Sequence, residues 1–202
     1  MKKLSSLFLL FTINIGVSQT NNITSNSKGT FTFKSGINIT KFQYKSPMGY
    51  NADAKNIQSD YGNWYFLGYS IPVLDQGKNN LKYEVGVSLG NYNSVLGTQS
   101  SYYNWKTLYT ELGNSLSYSI INTKKVAVSP KVGVNVATIL QGKEEINGVI
   151  YDLKKADGFR GLTLQSIIGI QTTLRASDIT SVSVGYDYVY SCLLYTSDAA
   201  DE

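Results

Sequence analysis

The sequence predicts an all-β chain folded as an antiparallel up-and-down transmembrane β-barrel, and three observations predict it. Seven stretches of about a dozen residues alternate apolar and polar side chains, the mark of a strand with two unlike faces. The connectors between them run long, short, long, short, long, short, so one end of the sheet is built from tight turns and the other from loops. A short apolar run behind two lysines at the N-terminus reads as an export signal.

Lys2 and Lys3 begin that signal, and Leu7 to Ile15 is too short to cross a bilayer as a helix. Gly16-Val17-Ser18 supplies the small residues that a signal peptidase inspects. Residues 1–18 are therefore expected to be a signal peptide and 19–29 a polar periplasmic lead, with the barrel over 30–191. The first strand, about Thr30 to Tyr44, sets Phe31, Phe33, Ile37 and Ile39 against Thr32, Lys34, Gly36 and Asn38. A loop with Pro47, Gly49, Asn51 and Asp53 follows. The second strand, near Tyr61 to Leu74, is the least clean, because Trp64 and Phe66 share a face with Gly62, Gly68 and Ser70.

After the tight connector 75–80, the third strand sets Leu81, Tyr83, Val85, Val87 and Leu89 against Lys82, Glu84, Gly86, Ser88 and Gly90. A loop over Tyr92 to Asn104 leads to the fourth, with Leu108, Leu112, Leu116 and Tyr118 opposing Tyr109, Glu111, Gly113, Ser115 and Ser117. Asn122 to Lys125 turns into the fifth, where Val126, Val128, Val132, Val134 and Val136 oppose Ala127, Ser129, Lys131, Gly133 and Asn135. The charged connector Gln141 to Phe159 contains Asn147-Gly148, a hairpin turn signal, so a β-ribbon standing above the barrel is expected there. The sixth strand spans Leu162 to Leu174. The seventh sets Val182, Val184, Tyr186, Tyr188 and Tyr190 against Ser181, Ser183, Gly185 and Asp187.

Charge placement decides which face meets lipid. Lys34, Lys82, Glu84, Glu111, Lys131 and Asp187 all fall on the polar face. A lysine facing mid-membrane lipid costs about 2–4 kcal/mol, whereas charges inside a narrow barrel can pair. Glycine and serine on the same face suit a crowded lumen, and tyrosines toward the ends of the apolar face suit an interfacial girdle. The six charged residues are thus expected to form a lumen network. Asn114 and Ser166 break the apolar face; a β-bulge or a locally thin membrane would account for them.

The string Cys192 to Glu202, CLLYTSDAADE, interrupts the pattern without a turn signal. All eleven residues resemble the in-frame translation of a transposase adapter used in sequencing libraries. Residues 192–202 are read as a non-native tail that removes the only cysteine from consideration. Seven strands are present, and an eighth is expected in the full-length protein, because an open sheet would leave two unpaired edges in lipid.

In layout the chain resembles the small bacterial outer-membrane β-barrel proteins, porin-like and of OmpA/OmpX type, over about Gly29 to Ser191. Stretches such as Gly158-Phe159-Arg160-Gly161-Leu162 are similar to the glycine-aromatic strand starts of such families. The resemblance implies residence in the bacterial outer membrane, with membrane lipid and the barrel-assembly machinery as partners.

Composition narrows the function. The chain has no histidine, which removes Ser–His catalysis and the usual zinc sites. Glu144-Glu145 and Glu84 with Glu111 remain as carboxylate pairs and are expected to be structural, the second through ion pairs with Lys82 or Lys131. A net charge of +4, scattered along the chain, gives no nucleic-acid patch. No cofactor is expected. An eight-strand interior is filled by its own side chains, so a general pore is disfavoured. The expectation is a non-enzymatic structural or surface-interaction role through the loops 45–60, 92–104 and 141–159, with Tyr102, Tyr103 and Trp105 as contact aromatics. Two alternatives are a secreted lipocalin-like barrel with an apolar cavity and an accessory of a secretion machine.

Overall fold

The computed structural model describes residues 4–17, 29–45, 51–52, 57–76, 79–98, 101–155, 161–177 and 180–194. Eleven strands form one antiparallel sheet: β1 (Leu4–Val17), β2 (Thr30–Lys45), β3 (Asn51–Ala52), β4 (Ile57–Gln76), β5 (Asn79–Thr98), β6 (Ser101–Tyr118), β7 (Ile121–Asn122), β8 (Val126–Ile146), β9 (Val149–Asp152), β10 (Leu162–Arg175) and β11 (Thr180–Leu194). Each long strand pairs with its neighbour in the chain, from β2 through β4, β5, β6, β8 and β10 to β11. These seven coincide with the seven predicted stretches.

β1 lies between β2 and β11 and closes the ring into a barrel of eight long strands. In the structure the run read as an export signal is itself a strand, and it fills the place for which an eighth strand was expected beyond residue 191. Its aliphatic, aromatic and β-branched residues have high strand propensity, and the edges of β2 and β11 would otherwise lack partners. β11 likewise continues past Ser191, pairing Cys192, Leu193 and Leu194 with Leu164, Thr163 and Leu162. The cleavage point at Ser18, most of the polar lead, and residues 195–202 lie outside the described residues.

Alternation along the strands produces two opposed surfaces. From Tyr61 to Tyr69 of β4, exposed and buried residues alternate without a break. Outside stand Phe31, Phe33, Leu67, Val87, Leu112, Val132, Ile168 and Val184, all exposed. Inside, Lys34, Glu111, Lys131, Asn135, Gln165 and Asp187 are buried. On β6 the outward belt runs from Tyr118 to Leu108. At about 3.3 Å per residue and a tilt near 40°, ten residues span about 25 Å, the height of a membrane barrel's apolar band.

The two ends differ as the connectors predicted. At the narrow end, Arg175 straps the turns together: Nη2 donates to Asn122 Oδ1 at 2.6 Å, Nη1 donates to the Thr123 carbonyl, and its amide donates to the Lys125 carbonyl at 2.8 Å. At the wide end the strands continue well past the predicted limits. The expected loop 92–104 is instead hairpin: β5 and β6 stay paired from Leu81↔Tyr118 up to Thr98↔Ser101. The expected ribbon forms, with β8 and β9 turning at Asn147 (φ 49°) and Gly148 (φ 86°). Two consecutive residues with positive φ are the type I′ signature of a two-residue hairpin. A short 3-10 turn, Leu153–Lys155, follows and buries Leu153 over the wide mouth.

Candidate functional site

The lumen is layered. Toward the narrow end it holds small polar groups: Ser119 and Ser129 hydroxyls lie 3.0 Å apart, and Ser183 joins Thr173 at 2.7 Å and Gln171 at 3.2 Å. The central layer carries the charges. Lys34 pairs with Glu84 and also sits 4.8 Å from the centre of the Phe66 ring. Lys131 Nζ donates to Asp187 Oδ2 at 2.5 Å. Among the described residues Glu111 has no cation in contact. Its carboxylate accepts from Ser88 Oγ (2.7 Å), Tyr92 OH, Asn135 Nδ2 (3.2 Å) and Gln165 Nε2 (3.4 Å). Four donors suffice to hold a buried carboxylate without a counter-ion in contact.

Register explains who meets whom. Lys131 and Asp187 are both Cα partners of Gly169, so the pair closes over the intervening strand β10. A Cβ at Gly169 would sit 1.9 Å from Asp187 Oδ1, so only glycine leaves room for the bridge. Ser88 and Glu111 are direct cross-strand partners, as are Asn135 and Gln165. Five of the six charged residues expected in the lumen therefore meet in one layer. Lys82 does not join them. It is exposed, because it lies on β5 only three residues from the start of the strand at the narrow rim.

The partners also differ from expectation. Glu84 takes Lys34 rather than Lys82, and Lys131 takes Asp187 rather than either glutamate. Glu84 and Glu111 each have their own partners. Glu144 accepts from Trp105 Nε1 at 2.8 Å, which leaves Glu145 on the opposite face of the strand.

Above the charges lies an aromatic plug that the sequence did not announce. Phe42, Trp64, Phe66, Tyr92, Trp105 and Tyr109 form its core, joined by Ile139, Leu153 and Val189. Trp64 stacks on Phe66 at 5.8 Å, and Tyr92 meets Tyr109 edge-on at 5.6 Å. Trp105, expected as a loop contact, is a correction: it is 3 % exposed and faces inward. Tyr103 stacks on it at 6.0 Å and is partly buried against the plug. Both move inside because their segment is strand, and odd-numbered residues of β6 point to the lumen. The side chain of Tyr102 lies outside the described residues. The mixed face of β4 was the available signal for the plug.

Among these groups remains a cavity of about 30 Å³, lined by both ion pairs, Glu111, Tyr92 and Phe66. That is room for about two waters. Among the described residues, four buried polar atoms lack a partner, and three of them, Asn38 Oδ1, Thr40 Oγ1 and Ser191 Oγ, belong to the two strands flanking β1.

No family model and no curated protein matches the chain. Among solved structures it is similar to the outer-membrane protease OmpT of Escherichia coli, at 6% identity and a TM-score of 0.36 over 95% of each chain. It is also similar to the transport unit of the autotransporter AIDA-I from Escherichia coli, at 9% identity and a TM-score of 0.21, covering 94% of this chain and 90% of that one. The toluene transporter TodX of P. putida aligns at 11% identity and a TM-score of 0.23, over 96% and 67%. Superpositions this loose transfer no role to this chain. Its chemistry must be read from its own residues, and these form a packed ionic and hydrogen-bonded layer beneath an apolar seal.

Proposed function

We propose that the chain is an integral protein of the bacterial outer membrane, a non-enzymatic barrel with a structural or surface-interaction role. One observation carries the reading: the two faces have opposite polarity, with charge inside and hydrocarbon outside. Val85, Val134 and Val184 are 37 %, 39 % and 57 % exposed, while Lys131 and Asp187 are buried. A water-soluble lipocalin-like barrel needs the reverse, an apolar cavity and a polar exterior. Membrane lipid is the natural partner of the outer belt, and the barrel-assembly machinery is the partner that insertion of such a barrel calls for.

The lumen supports a scaffold rather than a conduit. Among the described residues, the two ion pairs, the Glu111 cluster and the aromatic plug leave a cavity of about 30 Å³ between them, room for about two waters. Interaction then falls to the wide end, where Val149, Ile150 and Tyr151 of β9 are exposed on the hairpin that rises above the barrel. Single-cysteine variants in vesicles test the reading. Probes at positions 85, 134 and 184 should report acyl chains, and carbonate should not extract the protein. Water contact at those positions, or release by carbonate, would overturn it.

A further inference from the structure

Asn114 sits near mid-height in the apolar belt, four residues from Tyr118 and six from Leu108. Its side chain points outward and is exposed. The structure removes a β-bulge as its explanation. The ladder is regular through Asn114 on both sides, with Val85 opposite on β5 and Val134 opposite on β8; the one irregularity between β6 and β8 falls at Leu108/Tyr109. Among the described residues its carboxamide has no hydrogen-bond partner. Hydrocarbon offers none, and water does not reach that depth. Ser166 differs, because a hydroxyl can bond to the backbone of its own strand.

The surroundings are also particular. Val85, Val87, Leu112, Leu116, Val132 and Val134 make a smooth aliphatic patch around the amide, all exposed. One outward aromatic, Tyr83, borders the patch opposite Leu116; Tyr118 stands at the rim, and the other exposed aromatics among the described residues lie on β2, β4, β9 and β11. A carboxamide carries a donor end and an acceptor end of opposite partial charge. It is therefore complementary to a copy of itself turned through a two-fold axis.

We propose that the β5–β6–β8 face binds a second copy of this chain, around a two-fold axis along the membrane normal through Asn114. The two carboxamides exchange a pair of hydrogen bonds, and flat valine and leucine surfaces pack around them. The interface is isologous, as in most homodimers. This proposal rests on the membrane reading above.

The test uses the full chain in lipid vesicles, labelled at Cys192, the one cysteine, which is exposed. Energy transfer should rise with the protein-to-lipid ratio along a monomer–dimer curve. Asn114→Leu should weaken association about five- to ten-fold, the scale of two side-chain hydrogen bonds inside a bilayer. Asn114→Gln, which keeps both ends of the amide, should stay within about two-fold, and Ser166→Ala should have no effect. Transfer no greater than random proximity, or Asn114→Leu associating as well as the parent, overturns the dimer. Carbonate extraction of the same samples separates the two claims. A chain that inserts but stays monomeric sinks the dimer alone, and one that does not insert sinks the membrane reading with it.

Discussion

Removing the cation from the Lys131–Asp187 pair tests the lumen most directly. Lys131→Met keeps the length of the side chain and deletes its charge. Asp187 is then left without its cation at 6 % side-chain exposure. The nearest alternative cation, Lys34, is already held by Glu84. Breaking a buried pair from one end costs about 3–5 kcal/mol, because an uncompensated charge stays behind. Removing both ends leaves none, so Lys131→Met with Asp187→Leu should lie within about 1 kcal/mol of the parent, or above it. The double-mutant cycle should then give a coupling of about 3 kcal/mol or more. Urea unfolding in detergent or vesicles, followed through the buried Trp64 and Trp105, measures all four corners. A single variant that costs under about 1 kcal/mol, or a double variant worse than either single, would refute the claim that this pair is a sealed, mutually dependent unit.

Other perturbations follow from the same geometry. Gly169→Ala puts a methyl group 1.9 Å from Asp187 Oδ1 and 2.7 Å from the Tyr186 carbonyl. It should cost about 1–3 kcal/mol by overpacking, and the cost measured by urea unfolding should fall, without vanishing, in an Asp187→Ala background. Glu111→Gln should cost about 1–3 kcal/mol, and Glu111→Leu clearly more, since four donors then lose their acceptor; equal costs would show that the cluster is not held by hydrogen bonding. Trp105→Ala should destabilise by about 3–5 kcal/mol yet give no conductance in planar bilayers, because Trp64, Tyr92 and Tyr109 still fill the mouth.

Strand existence was legible because period-two alternation survives wherever lipid faces one side. β2, β10 and β11 begin within one residue of the predicted starts, and the inward set Lys34, Glu84, Glu111, Lys131 and Asp187 follows from parity alone. Pair identity was not legible. Lys34 and Glu84 sit on β2 and β5 with β4 between them, and Lys131 and Asp187 flank β10, so shear and curvature of the closed sheet choose the partners. The hairpins at the wide end escaped because their polar residues alternate with polar residues, which looks like loop composition. Trp105 was misread for that reason: taken as loop, it appears free to meet solvent. Residues 4–17 show the opposite ambiguity, since an apolar run reads equally as a signal and as a lipid-facing strand.

The ionic layer raises a question of purpose, because buried ion pairs seldom stabilise a fold beyond apolar residues of equal volume. The apolar plug alone would fill the upper lumen. What apolar filling cannot do is distinguish registers. Outward valines on β8 are nearly interchangeable from Val126 to Val136, so a slip of two residues keeps the belt intact and costs little on that face. Inside, the same slip would carry Lys131 away from the gap at Gly169 and bring a bulkier partner under the bridge. A slip of one residue would turn Lys131 into the lipid, at about 2–4 kcal/mol for that residue alone. Lys34 with Glu84 on one side, and Lys131 with Asp187 on the other, each tie strands that are not neighbours, so together they fix the stagger around the ring. The charges hold the register, and the aromatics above them hold the seal.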